Sequence, residues 1–185
     1  MDDPQGEVGI EFMVVTDGSG DEAMVYQVPL TYRAGVLAGA DAGLIGTSEH
    51  GVLGRRWIYD GVHDPVLLSQ LVALIQGEAE PQAQSLSNTA DPTVTGRPVA
   101  EGSLALARSA ITANGPSGTD LRLETTSADA VHPGELSLRV NRILRPGDGT
   151  GAHRDAGPPC LYATWRSPAG TRVRGVFATA RYSPI

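Results

Sequence analysis

The sequence contains no lysine; all 14 of its basic residues are arginine. A phosphate loop needs a lysine on the β- and γ-phosphates, a protein-kinase fold needs one on the α- and β-phosphates, and Schiff-base chemistry needs an amine. None of these can be built here in its usual form. Cysteine is nearly absent: Cys160 stands alone, which excludes an internal disulfide framework and a Cys-rich zinc site. Aromatic residues make up only 5% of the chain. No apolar run approaches the roughly 20 residues that span a bilayer. The opening Met-Asp-Asp-Pro-Gln-Gly-Glu is acidic and poor in apolar residues, unlike the basic and apolar start of a signal peptide. These absences lead to the expectation of a cytoplasmic protein with no membrane segment.

Catalytic signatures are equally sparse. There is no Gly-x-Ser-x-Gly and no His-Glu-x-x-His, and the four histidines, His50, His63, His132 and His153, lack metal-ligand spacing. His153-Arg154-Asp155 spells the kinase catalytic triplet, but Cys160 stands where the catalytic Asn would be and no Asp-Phe-Gly follows. Gly147-Asp148-Gly149-Thr150-Gly151 is glycine-rich without opening a helix, the context a phosphate loop requires. Asp17, Ser19 and Asp21 imitate the first ligands of an EF-hand loop, yet Glu22 replaces its glycine and Val28 its final glutamate. Cys160, after two prolines and at the start of a β run, reads as a buried inert thiol. No catalytic residue, metal or cofactor is expected from these patterns.

What is present is a chain of 185 residues with 41% hydrophobic content, enough for one globular domain or two small ones. Charge is uneven along it. Up to residue 92, fourteen carboxylates face Arg33, Arg55 and Arg56; beyond it, seven face eleven arginines, and the two nets of −11 and +4 sum to the overall −7. Such asymmetry suggests two subdomains, 1–80 and 81–185, with complementary potential as one reading and scattered solvated charge as the other. A pI near 5.0 argues against nucleic acid as a partner.

Val8–Val15 and Met24–Tyr32 read as a hairpin across the Gly- and Asp-rich turn 16–22, with Ile10, Phe12 and Val14 on one face. Pro29, which lacks an N–H, places the second strand at an edge or a bulge. Residues 34–47 are small and Gly-rich and read as a loop. Val52–Tyr59 alternates as a strand, with Arg55, Trp57 and Tyr59 opposite Arg56 and Ile58. His63-Asp64-Pro65 begins a helix, with Asp64 as N-cap, Pro65 at the first helical position and Gly77 just beyond the end. Val66, Leu67, Leu71, Leu74 and Ile75 repeat at helical spacing, so this helix must lie on a sheet. Residues 78–93 read as a polar linker or long surface strand. Thereafter short strands alternate with turns at Asn114–Gly118, Arg145–Gly147 and Ser167–Gly170, the pattern of an antiparallel sheet.

Two groups of residues are candidates for a site. Arg55 or Arg56 can grip a carboxylate or phosphate bidentately, or stack on Trp57 or Tyr59; a salt bridge into the acidic surroundings is the competing reading. Asp60, His63 and Asp64, beside Glu49 and His50, can form an acid–base cluster. Against that, Asp64 reads as a helix cap and Asp60-Gly61 as the turn before it.

The joined stretch Glu49-His50-Gly51-Val52-Leu53-Gly54-Arg55-Arg56-Trp57-Ile58-Tyr59-Asp60-Gly61, followed by Asp64-Pro65, closely resembles the N-terminal cap of actinobacterial maltokinases. Gly9-Ile10-Glu11-Phe12 and Tyr26-Gln27-Val28-Pro29-Leu30-Thr31-Tyr32-Arg33 extend the resemblance upstream, to about residues 6–77. Pro81–Ser85 and Ala163-Thr164-Trp165 resemble stand-alone cap-like proteins, which keep a β-rich second half where maltokinases continue into kinase lobes. Those relatives usually begin with a short helix and a Pro-Trp-Tyr element before the position of Met1, so the resemblance implies a chain that starts inside the domain, with either a misplaced start or a missing sheet edge, the latter leaving surface through which it can self-associate. Kinase lobes being absent, the resemblance implies a cap and no phosphotransfer, with Glu49, His50, Gly54, Asp60 and Asp64 as its signature.

The expected architecture is α+β: a curved antiparallel sheet, one main helix over about 64–77 packed on it, and a second β-rich half. The expected role is a non-catalytic binding or interaction module, accessory to trehalose, maltose or glycogen metabolism through a separately encoded kinase or glucan-metabolising enzyme. Two alternatives stand beside it. One is a protein that holds a sugar or anionic metabolite on Arg55, Arg56, Trp57 and Tyr59; the other is a hydrolase or transferase using Asp60, His63 and Asp64.

Overall fold

The computed structural model describes residues 3, 5–18, 22–83, 89–127, 134–147 and 159–184. The first apolar runs form strands β1 (Gly9–Asp17) and β2 (Met24–Arg33), paired antiparallel with Phe12 opposite Pro29. A second hairpin joins β3 (Leu44–His50) to β4 (Gly54–Asp60), and the four strands make a sheet in the order β1-β2-β4-β3. A 3-10 turn, Gly61–His63, leads into helix α1 (Pro65–Gln76). The second half supplies β5 (Thr95–Gly96), β6 (Leu104–Gly115), β7 (Gly118–Ser127), β8 (Gly134–Asn141), β9 (Cys160–Arg166) and β10 (Arg172–Pro184). They form a six-stranded antiparallel sheet in the order β5-β9-β10-β8-β7-β6. The protein is α+β, mostly strand, with one helix packed on an antiparallel sheet.

The helix does not lie flat on the sheet that precedes it. Its contacts run to β6, β5 and β9, and its leucines share one core with Leu121, Leu123, Leu136, Leu138, Val140 and Leu161 from the six-stranded sheet. Ile10, Phe12 and Val14 of β1 pack against the same core. Covered from more than one side, α1 buries a broader band than its sequence stripe: Leu68 and Val72 join Leu67, Leu71, Leu74 and Ile75, while Val66 is only half-buried. Its C-terminus ends as expected, with Gly77 in the left-handed region at φ 77° and the Glu78 N–H donating to the Ala73 carbonyl at 2.8 Å.

Two readings of the first half need correction. Residues 44–47 belong to β3, not to a loop. This strand is exposed along almost its whole length, so it has no buried face and leaves no period-two pattern. Pro29 lies in an interior strand, because β2 has neighbours on both sides. The β4 ladder on β2 begins only at Leu30, and beyond Pro29 the same side of β2 meets residues 142–144: the Gln27 N–H donates to the Arg142 carbonyl (2.8 Å) and the Leu144 N–H to the Val25 carbonyl (2.8 Å). By strand alternation the Pro29 nitrogen faces that side too, at the gap between the two ladders, where no N–H is required.

The helix and β5 meet backbone to backbone. A Cβ on Gly96 would run into the carbonyl oxygens of Leu74 and Ile75. Gly96→Ala is therefore expected to destabilise by about 1–3 kcal/mol, whereas Gly115→Ala, with open space around it, stays within about 0.5 kcal/mol of wild type. Leu71→Ala, at a fully buried helix position, should cost about 2–5 kcal/mol. Urea denaturation curves with a common slope check all three.

Candidate functional site

The stretch from Glu49 to Asp64 folds as a hairpin, a strand, a 3-10 turn and a helix cap. At the hairpin tip, the His50 Nδ1 accepts the N–H groups of Val52 (3.3 Å) and Leu53 (3.1 Å), closing the turn. Gly54 sits at φ 69°, where a side chain would be strained. Arg55 Nε donates to Glu49 Oε1 at 2.8 Å across the hairpin, and both side chains remain exposed. The tip between these braces is apolar and open: Val52 is 89% exposed and Leu53 59%.

Down β4, Arg55, Trp57 and Tyr59 project from one face and Arg56 from the other, so the four candidate ligand-binding residues do not converge. Arg56 has its Nε buried with no hydrogen-bond partner among the described residues. Trp57 is half-buried, beside Arg33 on β2 and Thr47 on β3. Tyr59 is buried, and its hydroxyl accepts the Leu37 N–H at 2.9 Å, tying down the loop after β2.

Asp60 and Asp64 bracket the 3-10 turn, and each is held by an arginine outside the two groups of candidate site residues. Asp60 Oδ1 accepts from the Val62 N–H (3.4 Å), and both its oxygens accept from Arg142 Nη2 at 2.7 and 2.6 Å. Arg142 also donates to the Thr119 hydroxyl. This pair spans the two halves of the chain, as does the neighbouring ladder between β2 and residues 142–144. Asp64, with a side chain 0% exposed, accepts the Val66 N–H at 2.9 Å as the N-cap of α1. Its two oxygens also take Arg33 Nε (2.6 Å) and Nη2 (2.7 Å) in a fork. His63, in the 3-10 turn, packs on Gly43, where a Cβ would collide with it.

Burial acts to raise the Asp64 pKa, but the hydrogen bonds from Arg33 and Val66, with the charge of Arg33 beside them, outweigh it and hold the carboxyl below its usual range. The same pair raises the Arg33 guanidinium further above its already high value. Asp60 and Asp64 thus act as paired carboxylates fixing the turn and the helix entrance. They do not stand as a free acid–base couple.

Residues 1–64 match the maltokinase N-terminal cap domain. The match covers β1–β4 and the 3-10 turn and stops at Asp64, where α1 begins. It does not extend to residue 77, and it spans 64 of the 185 residues. No curated protein matches the chain. Within the cap match, each signature residue serves the fold. Glu49 pairs across the hairpin, His50 closes its turn and Gly54 takes the conformation that turn needs. Asp60 braces the 3-10 turn and Asp64 caps the helix.

Among the described residues, no group of three or more His, Cys, Asp or Glu side chains is placed to hold a metal ion. No helix among the described residues is long and apolar enough to cross a membrane. His132, the His153-Arg154-Asp155 triplet, Gly149–Gly151 and the Ser19 and Asp21 positions lie outside the described residues. Cys160 is buried at the start of β9, as expected.

Removing one member of a buried ion pair strands the other. Arg33→Ala should therefore cost about 3–5 kcal/mol, and Arg142→Ala less, because Asp60 is a quarter exposed. The lowered folded-state pKa of Asp64 means that its stabilisation is complete above the unfolded value of about 3.9 and drains away as pH falls below it. Asp64→Asn should remove that part of the acid limb while leaving the neutral-to-pH 5 plateau flat. Denaturation midpoints measured from pH 2 to 7 check both points.

Proposed function

We propose that the chain is a cytoplasmic, non-catalytic interaction module that docks through its cap-like hairpin tip onto a separately encoded kinase or glucan-metabolising enzyme. The observation that carries this reading is how the signature residues are used. Within the segment that matches a maltokinase cap, the polar signature side chains are engaged in holding the fold, and what they present to solvent is Val52 and Leu53. A turn pinned by His50, Gly54 and the Glu49–Arg55 pair loses little freedom on binding, which favours its use as a preorganised contact. An exposed apolar pair with a polar surround suits insertion into an apolar pocket on a partner. The absence of lysine removes the usual phosphate-gripping residue and supports a role without phosphotransfer of its own.

The test is binding of the purified full chain to a maltokinase and to a glycogen-processing enzyme, measured by sedimentation velocity and surface-immobilised titration. Saturable binding to one of them, weakened at least about 10-fold by the double variant Val52→Asp, Leu53→Asp, is the expected outcome. Lack of binding to either enzyme, or binding unaffected by the double variant, overturns the reading.

A further inference from the structure

The solvent side of the six-stranded sheet carries a feature separate from the cap match. Strand alternation sends Leu121, Leu123, Leu136, Leu138 and Ala180 inward to the core and their neighbours outward. Two outward rows cross β7, β8 and β10. One is Asp120, Arg139 and Thr179; the next is Arg122, Ser137 and Arg181. With Thr112 of β6 these residues line an open depression of about 520 Å³, within the range of small-molecule sites.

Its charge is biased toward anions although the protein as a whole is at −7. Three arginines line it against one carboxylate, Asp120; with Glu135 beside it, two of the arginines face a carboxylate and Arg181 does not. Arg139 is fixed in place: its Nη1 donates to both oxygens of Asp120 (2.8 and 2.7 Å) and its Nη2 to the Ser117 hydroxyl (3.2 Å). Arg122 approaches Glu135 most closely at Nε, 3.3 Å from Oε2, and among the described residues its terminal nitrogens are left to reach a further acceptor such as an anion. Arg181 is exposed and forms no ion pair among the described residues. On their shared row Arg122 and Arg181 stand two strand spacings apart, about 10 Å between backbones, with the short Ser137 between them. Two guanidinium groups on long stems, one on each side of a serine, can close on one anion between them.

We propose that this depression binds a small phosphate monoester, its phosphoryl group held between Arg122 and Arg181 above Ser137. Each guanidinium offers parallel donors that match two phosphoryl oxygens, and the Ser137 hydroxyl reaches the anion from below. Arg139, already oriented by Asp120, adds charge at the rim. The ester's remaining body lies toward Thr112 and Thr179, whose hydroxyls suit polar alcohol groups. The site is built wholly from residues beyond the cap match, so it stands or falls independently of hairpin docking.

The experiment is thermal unfolding of the full chain with inorganic phosphate, glucose 6-phosphate and glucose, at low and at physiological salt. Glucose 6-phosphate at 100 times its dissociation constant should raise the midpoint by about 5–10 °C, phosphate less, and glucose not at all. Arg122→Ala and Arg181→Ala should each abolish the shift while keeping the ligand-free midpoint, since neither side chain is part of the core. Arg181→Lys should retain only part of it, and Arg55→Ala on the hairpin should keep all of it. A shift that glucose reproduces, that survives both alanine variants, or that never appears with a phosphate compound overturns the proposal.

Discussion

A carboxylate with no solvent contact must be paired or its burial is prohibitive, and Asp64 is that carboxylate. Its pairing fixes more than one element at once. The Val66 N–H it accepts sets where α1 begins, and the Arg33 fork ties that point to the end of β2. Because β2 is paired with β1 and β4, anchoring Arg33 places the whole four-stranded sheet relative to the helix. The helix in turn is held by the larger sheet. A helix cap is usually worth about 1 kcal/mol to its own helix. Here the same side chain also ties the start of the helix to the end of β2.

Asp60 repeats the device four residues earlier with a different arginine. Arg142 comes from the second half of the chain, and the backbone beside it continues β2 where β4 leaves off. The two sheets are therefore joined by side-chain and main-chain bonds at one place. Gly61, between the two acids, admits the Leu67 side chain into space that a Cβ would fill. Uneven charge along the sequence has one local expression here, since Asp60 belongs to the acidic half and Arg142 to the basic one. Arg108–Glu124, Arg122–Glu135 and Arg139–Asp120, by contrast, stay within the second half.

The helix was legible in the sequence because every signal agreed: cap, proline, apolar period and terminal glycine. The hairpins of the second half were legible for the same reason, their turns being marked by Gly, Pro and Asn between alternating runs. β3 was not, since an edge strand exposed on both faces has no burial to impose a pattern. Pro29 misled because the rule that sends proline to an edge concerns its N–H and not the strand; a gap between two ladders satisfies the rule inside a sheet. The helix stripe pointed to a sheet but not to which one, and a stripe carries no such information. Of the signature, capping by Asp64 followed from its position before Pro65. Its partner Arg33, 31 residues away, could be found only from strand register.

Lysine's absence gains its meaning in this setting. Asp64 is held by two nitrogens of one guanidinium, Asp60 by a single nitrogen bridging both oxygens, and Asp120 likewise. An ammonium is a compact point charge and would satisfy the fork at Asp64 only in part; the planar group meets a buried carboxylate with little loss of conformational freedom per bond. The contrast with Arg122 and Arg181 is then informative. Where an arginine stabilises this fold it faces a carboxylate at short range, and on the open side of the large sheet two arginines flank a serine with donors to spare. Of the two, Arg122 meets Glu135 only loosely and Arg181 forms no ion pair among the described residues, so the fold uses their charge far less than it uses that of Arg33 or Arg142.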